Sequence, residues 1–124
     1  MSRLLAAACV SLALLGAPAA AAPKSRATIT LTSHRYTPEP IYLAGGVPVR
    51  LIFVNRAGKT HDFTAEKFFR ASRLLRGRAP GGEVRLMAGR SAVIDLVPVR
   101  GTYKVHCSEF GHKMLGMSTM IIVL

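Results

Sequence analysis

Tryptophan is missing from the 124-residue sequence, and five phenylalanines and three tyrosines are its only Phe, Trp or Tyr side chains. These few rings do not interleave with the basic residues, which argues against the stacking platform that single-stranded nucleic acid needs. Acidic residues are scarce too. Six Asp and Glu stand against seventeen Lys and Arg, a formal charge of +11 at pH 7. With nucleic acid set aside, such a charge points to an acidic protein or to anionic lipid headgroups. Two cysteines, Cys9 and Cys107, are too few for a disulfide framework. No apolar run is long enough to anchor the chain across a bilayer. Internal repeats and low-complexity stretches are also lacking beyond the N-terminal segment.

That segment reads as a targeting signal. Arg3 supplies a positive start, LLAAACVSLALLG (4–16) an apolar run of secretory length, and APAAAA (17–22) the small residues of a cleavage site. Pro23 should not follow the cut directly, so cleavage is expected after Ala21, leaving a single domain over 22–124. Ala6-Ala7-Ala8-Cys9 is a poor lipidation motif with almost no apolar stretch before it. The expectation is therefore a soluble, periplasmic protein without stable membrane insertion, and a monomer. Removal of the signal takes Cys9 with it and leaves Cys107 as the one thiol. In an oxidising compartment a lone thiol is either buried and inert or occupied, for instance by a metal.

Beyond the signal, short alternating segments are punctuated by Gly, Pro and Asn. Strands are predicted at 27–33, 40–46, 47–55, 83–89, 91–99, 101–107 and 118–124. Val49, Leu51 and Phe53 share one face of the third; Tyr103, Val105 and Cys107 share one face of the sixth, with Thr102, Lys104 and His106 opposite. About seven such strands and no long helix indicate an antiparallel sandwich. One helix is predicted over TAEKFFRASRLLRG (64–77), with Thr64 as N-cap, Gly77 as stop and an apolar stripe of Phe68, Ala71 and Leu75. Its other side carries Lys67, Arg70, Arg73 and Arg76. That side is either a solvated face or a docking face for an acidic partner.

The chemistry concentrates in HCSEFGHKMLGM (106–117). Four residues separate Cys107 from His112, and four more separate His112 from Met117. Thiolate, imidazole and thioether together suit copper in both of its oxidation states. His61, in the HDF segment after the third strand, lies where a sandwich loop can bring a second imidazole to the same end. His61, Cys107 and His112 with a weak axial Met117 make the His₂Cys arrangement of blue copper. Met114 is the competing thioether, two residues from His112. His106 should alternate outward, and His34 sits in a turn.

At these residues the chain resembles the cupredoxins, small blue copper proteins of the plastocyanin and azurin kind. The likeness rests on PIYLAGGVPVRLIFVN, the following HDF, GRSAVIDLVPVRGTYKVHC and CSEFGHKMLGM, nearly the whole domain. It implies a Greek-key β-sandwich of about seven to eight strands with one short helix. It also implies one copper ion held by His61, Cys107, His112 and Met117, and one-electron transfer rather than enzymatic turnover. Asp62 stands where many cupredoxins have Asn, and is expected to accept hydrogen bonds from loop amides beside the site. His112, flanked by Phe110, Met114 and Leu115, is the expected electron exit. The basic surface would steer an acidic redox protein, a cytochrome or a reductase or oxidase. The same ligands would also serve a periplasmic copper carrier or resistance protein.

Overall fold

A computed structural model describes residues 16–17, 23, 25–109 and 117–124. Ten strands and one short helix follow one another: β1 (Ser25–Leu31), β2 (Tyr36–Thr37), β3 (Ile41–Leu43), β4 (Val49–Asn55), β5 (His61–Thr64), α1 (Glu66–Ala71), β6 (Arg73–Arg76), β7 (Glu83–Leu86), β8 (Ser91–Val97), β9 (Gly101–His106) and β10 (Ser118–Val123). They form two five-stranded sheets, ordered β2-β1-β4-β8-β6 and β3-β10-β9-β5-β7. Among the described residues no helix is long and apolar enough to cross a membrane.

Period-two burial explains the facing of the two sheets. Along β4, Val49, Leu51 and Phe53 point into the core, meeting Ile29 and Leu31 of β1 and Ile94 and Leu96 of β8. From the opposite sheet come Phe63, Val105, Ile121 and Val123. Phe63 is the hub of an aromatic cluster, its ring centroid 4.9 Å from Phe53, 5.5 Å from Tyr36 and 6.3 Å from Phe69. Each of these edge-on or tilted pairs adds about 0.5–1.5 kcal/mol beyond burial of area.

Three features differ from the sequence expectation. The sandwich is mixed rather than wholly antiparallel, because β1 pairs in parallel with β4 and β3 with β10. The strand count is ten, since the short β2, β5 and β6 carry too few residues to show a period. The helix stops at Ala71 instead of running to Gly77, and its N-cap is Ala65, not Thr64. Ser72 is extended, its N–H and hydroxyl both closing on the Phe68 carbonyl. The next four residues leave the helix to pair with the edge of β8. A six-residue helix gains few internal hydrogen bonds, whereas β8 offers an unfilled ladder.

In β6 a bulge at Leu75 sets Arg73 opposite Val97 and Arg76 opposite Asp95, so both arginines lie on the outer face despite their odd spacing. Gly77 ends the strand at φ +86°, where a Cβ would come within 2.5 Å of the Val93 carbonyl oxygen. On the same outer face Arg50 donates two hydrogen bonds to Asp95, at 2.7 and 2.8 Å. These bonds, together with the Arg50 and Arg76 charges, hold the Asp95 carboxyl below its usual range despite the opposing effect of burial. A depressed carboxylate pKa stabilises the fold above its unfolded value of about 3.9, and that contribution disappears as pH falls through the native value. Thermal melts of wild type and Asp95→Asn should therefore differ at neutral pH, and the gap should narrow as pH falls below the unfolded value of about 3.9. A constant gap down to pH 2 would contradict this.

Candidate metal centre

The site lies at one end of the second sheet, where three strand ends meet. The β9–β10 pair sets His106 opposite Ser118. One step further, the Cys107 N–H donates to the Met117 carbonyl at 3.1 Å. Antiparallel pairing thus places the thiol and the thioether side by side. β5 descends along the other edge of β9, with Thr64 opposite His106, and its first residue, His61, completes the group. All three side chains are buried, with Cys107 and Met117 fully so and His61 at 1% exposure.

Their donor atoms converge. His61 Nδ1 lies 3.1 Å from Met117 Sδ and 3.9 Å from Cys107 Sγ. One ion bound at about 2.0 Å to nitrogen and about 2.3 Å to sulfur, at a trigonal angle, needs those two atoms roughly 3.7 Å apart. The observed nitrogen-to-thiol spacing fits. The donor set, one imidazole, one thiol and one thioether, is the soft combination that suits copper. Among the described residues no group of three His, Cys, Asp or Glu side chains is placed to hold a metal ion. His112, the fourth expected donor, lies outside the described residues, as do Met114, Phe110 and Leu115.

The surroundings hold the sulfur in place. The N–H of Asp62 donates to Cys107 Sγ at 3.5 Å, and the N–H of Glu109 also hydrogen-bonds to that sulfur. Burial pushes the Cys107 thiol pKa up, more than these two amides pull it down; the nearby Asp62 and Glu109 charges push it further up. Binding a cation reverses that balance by favouring the thiolate.

Asp62 behaves as the sequence led one to expect and does more. Fully buried, its carboxylate accepts from the Ser108 N–H at 2.9 and 3.0 Å, from the Ser108 hydroxyl at 2.6 Å and from the Thr64 hydroxyl at 2.6 Å. Thr64 thus serves Asp62 instead of capping the helix. The Asp62 backbone carbonyl accepts from the Tyr36 hydroxyl at 2.7 Å. The Tyr36 phenol is pushed far up in pKa by burial first, then by Cys107 and Asp62, and stays a neutral donor.

Two further supports escaped the sequence reading. Asn55, at the end of β4, is fully buried; its amide donates to the carbonyls of Lys59 and Leu86 at 2.8 and 2.9 Å, and its oxygen accepts from Ala57 N–H at 2.9 Å. It closes the 56–60 loop that delivers His61. The only signal for it was an Asn closing a strong apolar strand. Arg85 of β7 forms an ion pair with Glu109. Nothing local in the sequence links two residues so far apart. His106 points away from the core as expected but is only half-exposed, lining a groove with Lys67, Lys104 and Met120. His34 is exposed.

Comparison with known proteins agrees with this architecture. Residues 4–123 match the model of the Cupredoxin-like domain family. A search of curated proteins finds no match. Among solved structures the chain is similar to auracyanin B, at 20% identity and a TM-score of 0.63, over 85% of this chain and 92% of that one. It is also similar to Na-dithionite-reduced auracyanin from the photosynthetic bacterium Roseiflexus castenholzii, at 16% identity and a TM-score of 0.60, over 84% and 99%. A multicopper oxidase from Campylobacter jejuni, a metallo-oxidase, aligns at 14% identity and a TM-score of 0.64 over 84% of this chain, which spans only 31% of the oxidase. Identities this low establish the shared fold alone. With the family model covering all but the ends of the sequence, and with two sheets whose strand ends gather histidine, cysteine and methionine, the chain belongs to the cupredoxin-like domain family.

Proposed function

We propose that this chain is a periplasmic type 1 copper protein that carries single electrons between redox partners. His61, Cys107 and His112 are its strong ligands and Met117 its weak axial ligand. The observation that carries the reading is the convergence of His61 Nδ1, Cys107 Sγ and Met117 Sδ in a buried site with two amides on the thiol sulfur. Copper bound there would supply the reversible Cu(II)/Cu(I) couple. The protein's part is to hold its donors still while the charge changes. Cys107 and Met117 are tied to each other through the backbone, and His61 is fixed at the head of a paired strand. Burial excludes water and keeps reorganisation small.

An electron carrier also agrees with a fold neighbour having been solved in a dithionite-reduced state. The oxidase neighbour is a much longer protein, of which this chain matches one part. The burial of Met117 against His61 supports a carrier over a catalyst, because a thioether at the fourth position would take the place of a substrate. The apolar run at 4–16 supports export. Loss of Arg3 with the signal takes the charge from +11 to +10, and the partner is an acidic redox protein met in a brief, steered encounter.

Copper titration of the mature domain, followed by stopped-flow electron transfer, tests this reading. One equivalent of Cu(II) should develop an intense thiolate charge-transfer band. The oxidation rate of the Cu(I) form by an anionic oxidant should fall at least about tenfold between low salt and 0.5 M salt, as the Debye length shrinks below 10 Å. A neutral oxidant should show little change. Failure to develop the band would end the electron-carrier reading. Copper that exchanges to a chelator within seconds would favour the carrier of copper ions instead.

A further inference from the structure

The two residues that follow Cys107 are gripped from one rung of the neighbouring β-ladder. Asp62 and Arg85 are cross-strand partners in the β5–β7 pair. Asp62 holds Ser108 through its N–H and its hydroxyl. Arg85 holds Glu109 through an ion pair. The Arg85 side chain is 58% exposed, whereas that of Glu109 is 23% exposed and its Oε1 is buried, with no hydrogen bond beyond this ionic partner among the described residues. The Glu109 amide reaches the Cys107 sulfur. Removing Arg85 would thus leave a carboxylate oxygen buried without its counter-charge, two residues from a metal ligand.

We propose that Arg85 is a positioning residue for the ligand loop: its ion pair with Glu109 keeps the Glu109 amide on the Cys107 sulfur and offsets the carboxylate charge beside the metal. The inference rests on the copper reading of the site. Charge gives the direction. A thiolate from Cys107 and the carboxylates of Asp62 and Glu109 all favour the more positive Cu(II), and Arg85 opposes them. An exposed arginine contributes little to global stability. Its effect should therefore appear chiefly in the loop and in the balance between Cu(II) and Cu(I).

The test uses Arg85→Met, Glu109→Gln and the double variant, with two readouts. In the metal-free protein, amide hydrogen exchange at Glu109 should quicken at least about fivefold in Arg85→Met while amides of β4 and β8 keep their wild-type rates. In the copper-loaded protein, the ratio of Cu(II) to Cu(I) affinity, from competition with chelators, should rise about three- to tenfold in Arg85→Met. Glu109→Gln should shift the ratio the other way and, by breaking the same pair from the opposite side, should also quicken Glu109 exchange. The double variant should fall between the two single variants in affinity ratio. Exchange at Glu109 within twofold of wild type in both single variants overturns the positioning role, whatever the affinity ratio does. If the wild-type protein takes up no copper, exchange in the metal-free chain still decides the role of Arg85, and the copper reading fails on its own.

Discussion

Cys107→Ala, titrated with Cu(II), remains without the intense charge-transfer band that the wild type develops, and binds copper at least about a hundredfold more weakly. That band requires a thiolate on the metal, and Cys107 is the only cysteine among the described residues. Its loss of affinity should exceed the tenfold to hundredfold typical of residues that merely support a ligand. The fold should survive. Cys107 is fully buried, but truncating a small side chain to alanine costs only about 1–2 kcal/mol, within the usual range for point substitutions. Circular dichroism would verify the fold and absorption the site. An intact band in this variant would remove Cys107 from the ligand set and the blue-copper reading with it. A misfolded variant is guarded against by Met117→Leu, which should keep the band while shifting the potential, because the axial ligand is weak.

The second large effect belongs to Asp62. Its fully buried carboxylate serves the buried Thr64 hydroxyl and the N–H and hydroxyl of the exposed Ser108. Asp62→Ala removes three hydrogen bonds to a carboxylate, each contributing about 1 kcal/mol or more, so the metal-free domain should lose about 3 kcal/mol. That is a large share of the 5–15 kcal/mol typical of such domains, and corresponds to a fall in melting temperature of roughly 15 °C. Asp62→Asn separates shape from charge. The amide oxygen can still accept the Ser108 N–H and one of the two hydroxyls, and the other hydroxyl can turn to accept from the NH₂, so the stability loss should stay below about 1.5 kcal/mol. The removal of negative charge beside the metal should nevertheless raise the reduction potential, because Cu(II) loses more than Cu(I). Voltammetry of the two proteins decides. An unchanged potential would mean that the carboxylate acts only as a brace for the loop.

The two substitutions also divide the work around the sulfur. Asp62 grips the loop at Ser108 and, through its own N–H, touches Cys107 directly. Tyr36, hydrogen-bonded to the Asp62 carbonyl, fixes that peptide from the core side. A single rung of sheet therefore connects the aromatic cluster around Phe63 to Cys107 and His61, so packing defects in the core should reach the candidate site through Tyr36 and Asp62.

Much of this protein was legible residue by residue. Alternation along Val49, Leu51 and Phe53, and along Tyr103, Val105 and Cys107, determined which faces turn inward, because side-chain direction in a strand has a period of two and depends on nothing distant. The spacing of Cys107 and Met117 around a loop placed two sulfur side chains at neighbouring strand ends, and the carboxylate of Asp62 announced itself by standing next to His61. What the tertiary structure alone decided depends on partners far apart in sequence. Residues 73–76 satisfy a helical pattern locally, yet the open edge of β8 offers a ladder that a short helix cannot match, and they became a strand. The parallel pairing of β1 with β4 and of β3 with β10 follows from how the chain crosses between sheets. Asn55 and the Arg85–Glu109 pair acquire their roles only when β4, β5, β7 and the end of β9 come together. Burial periodicity is a local property and can be read from the chain; hydrogen-bond and ion-pair partners are chosen among segments that meet only in the folded state.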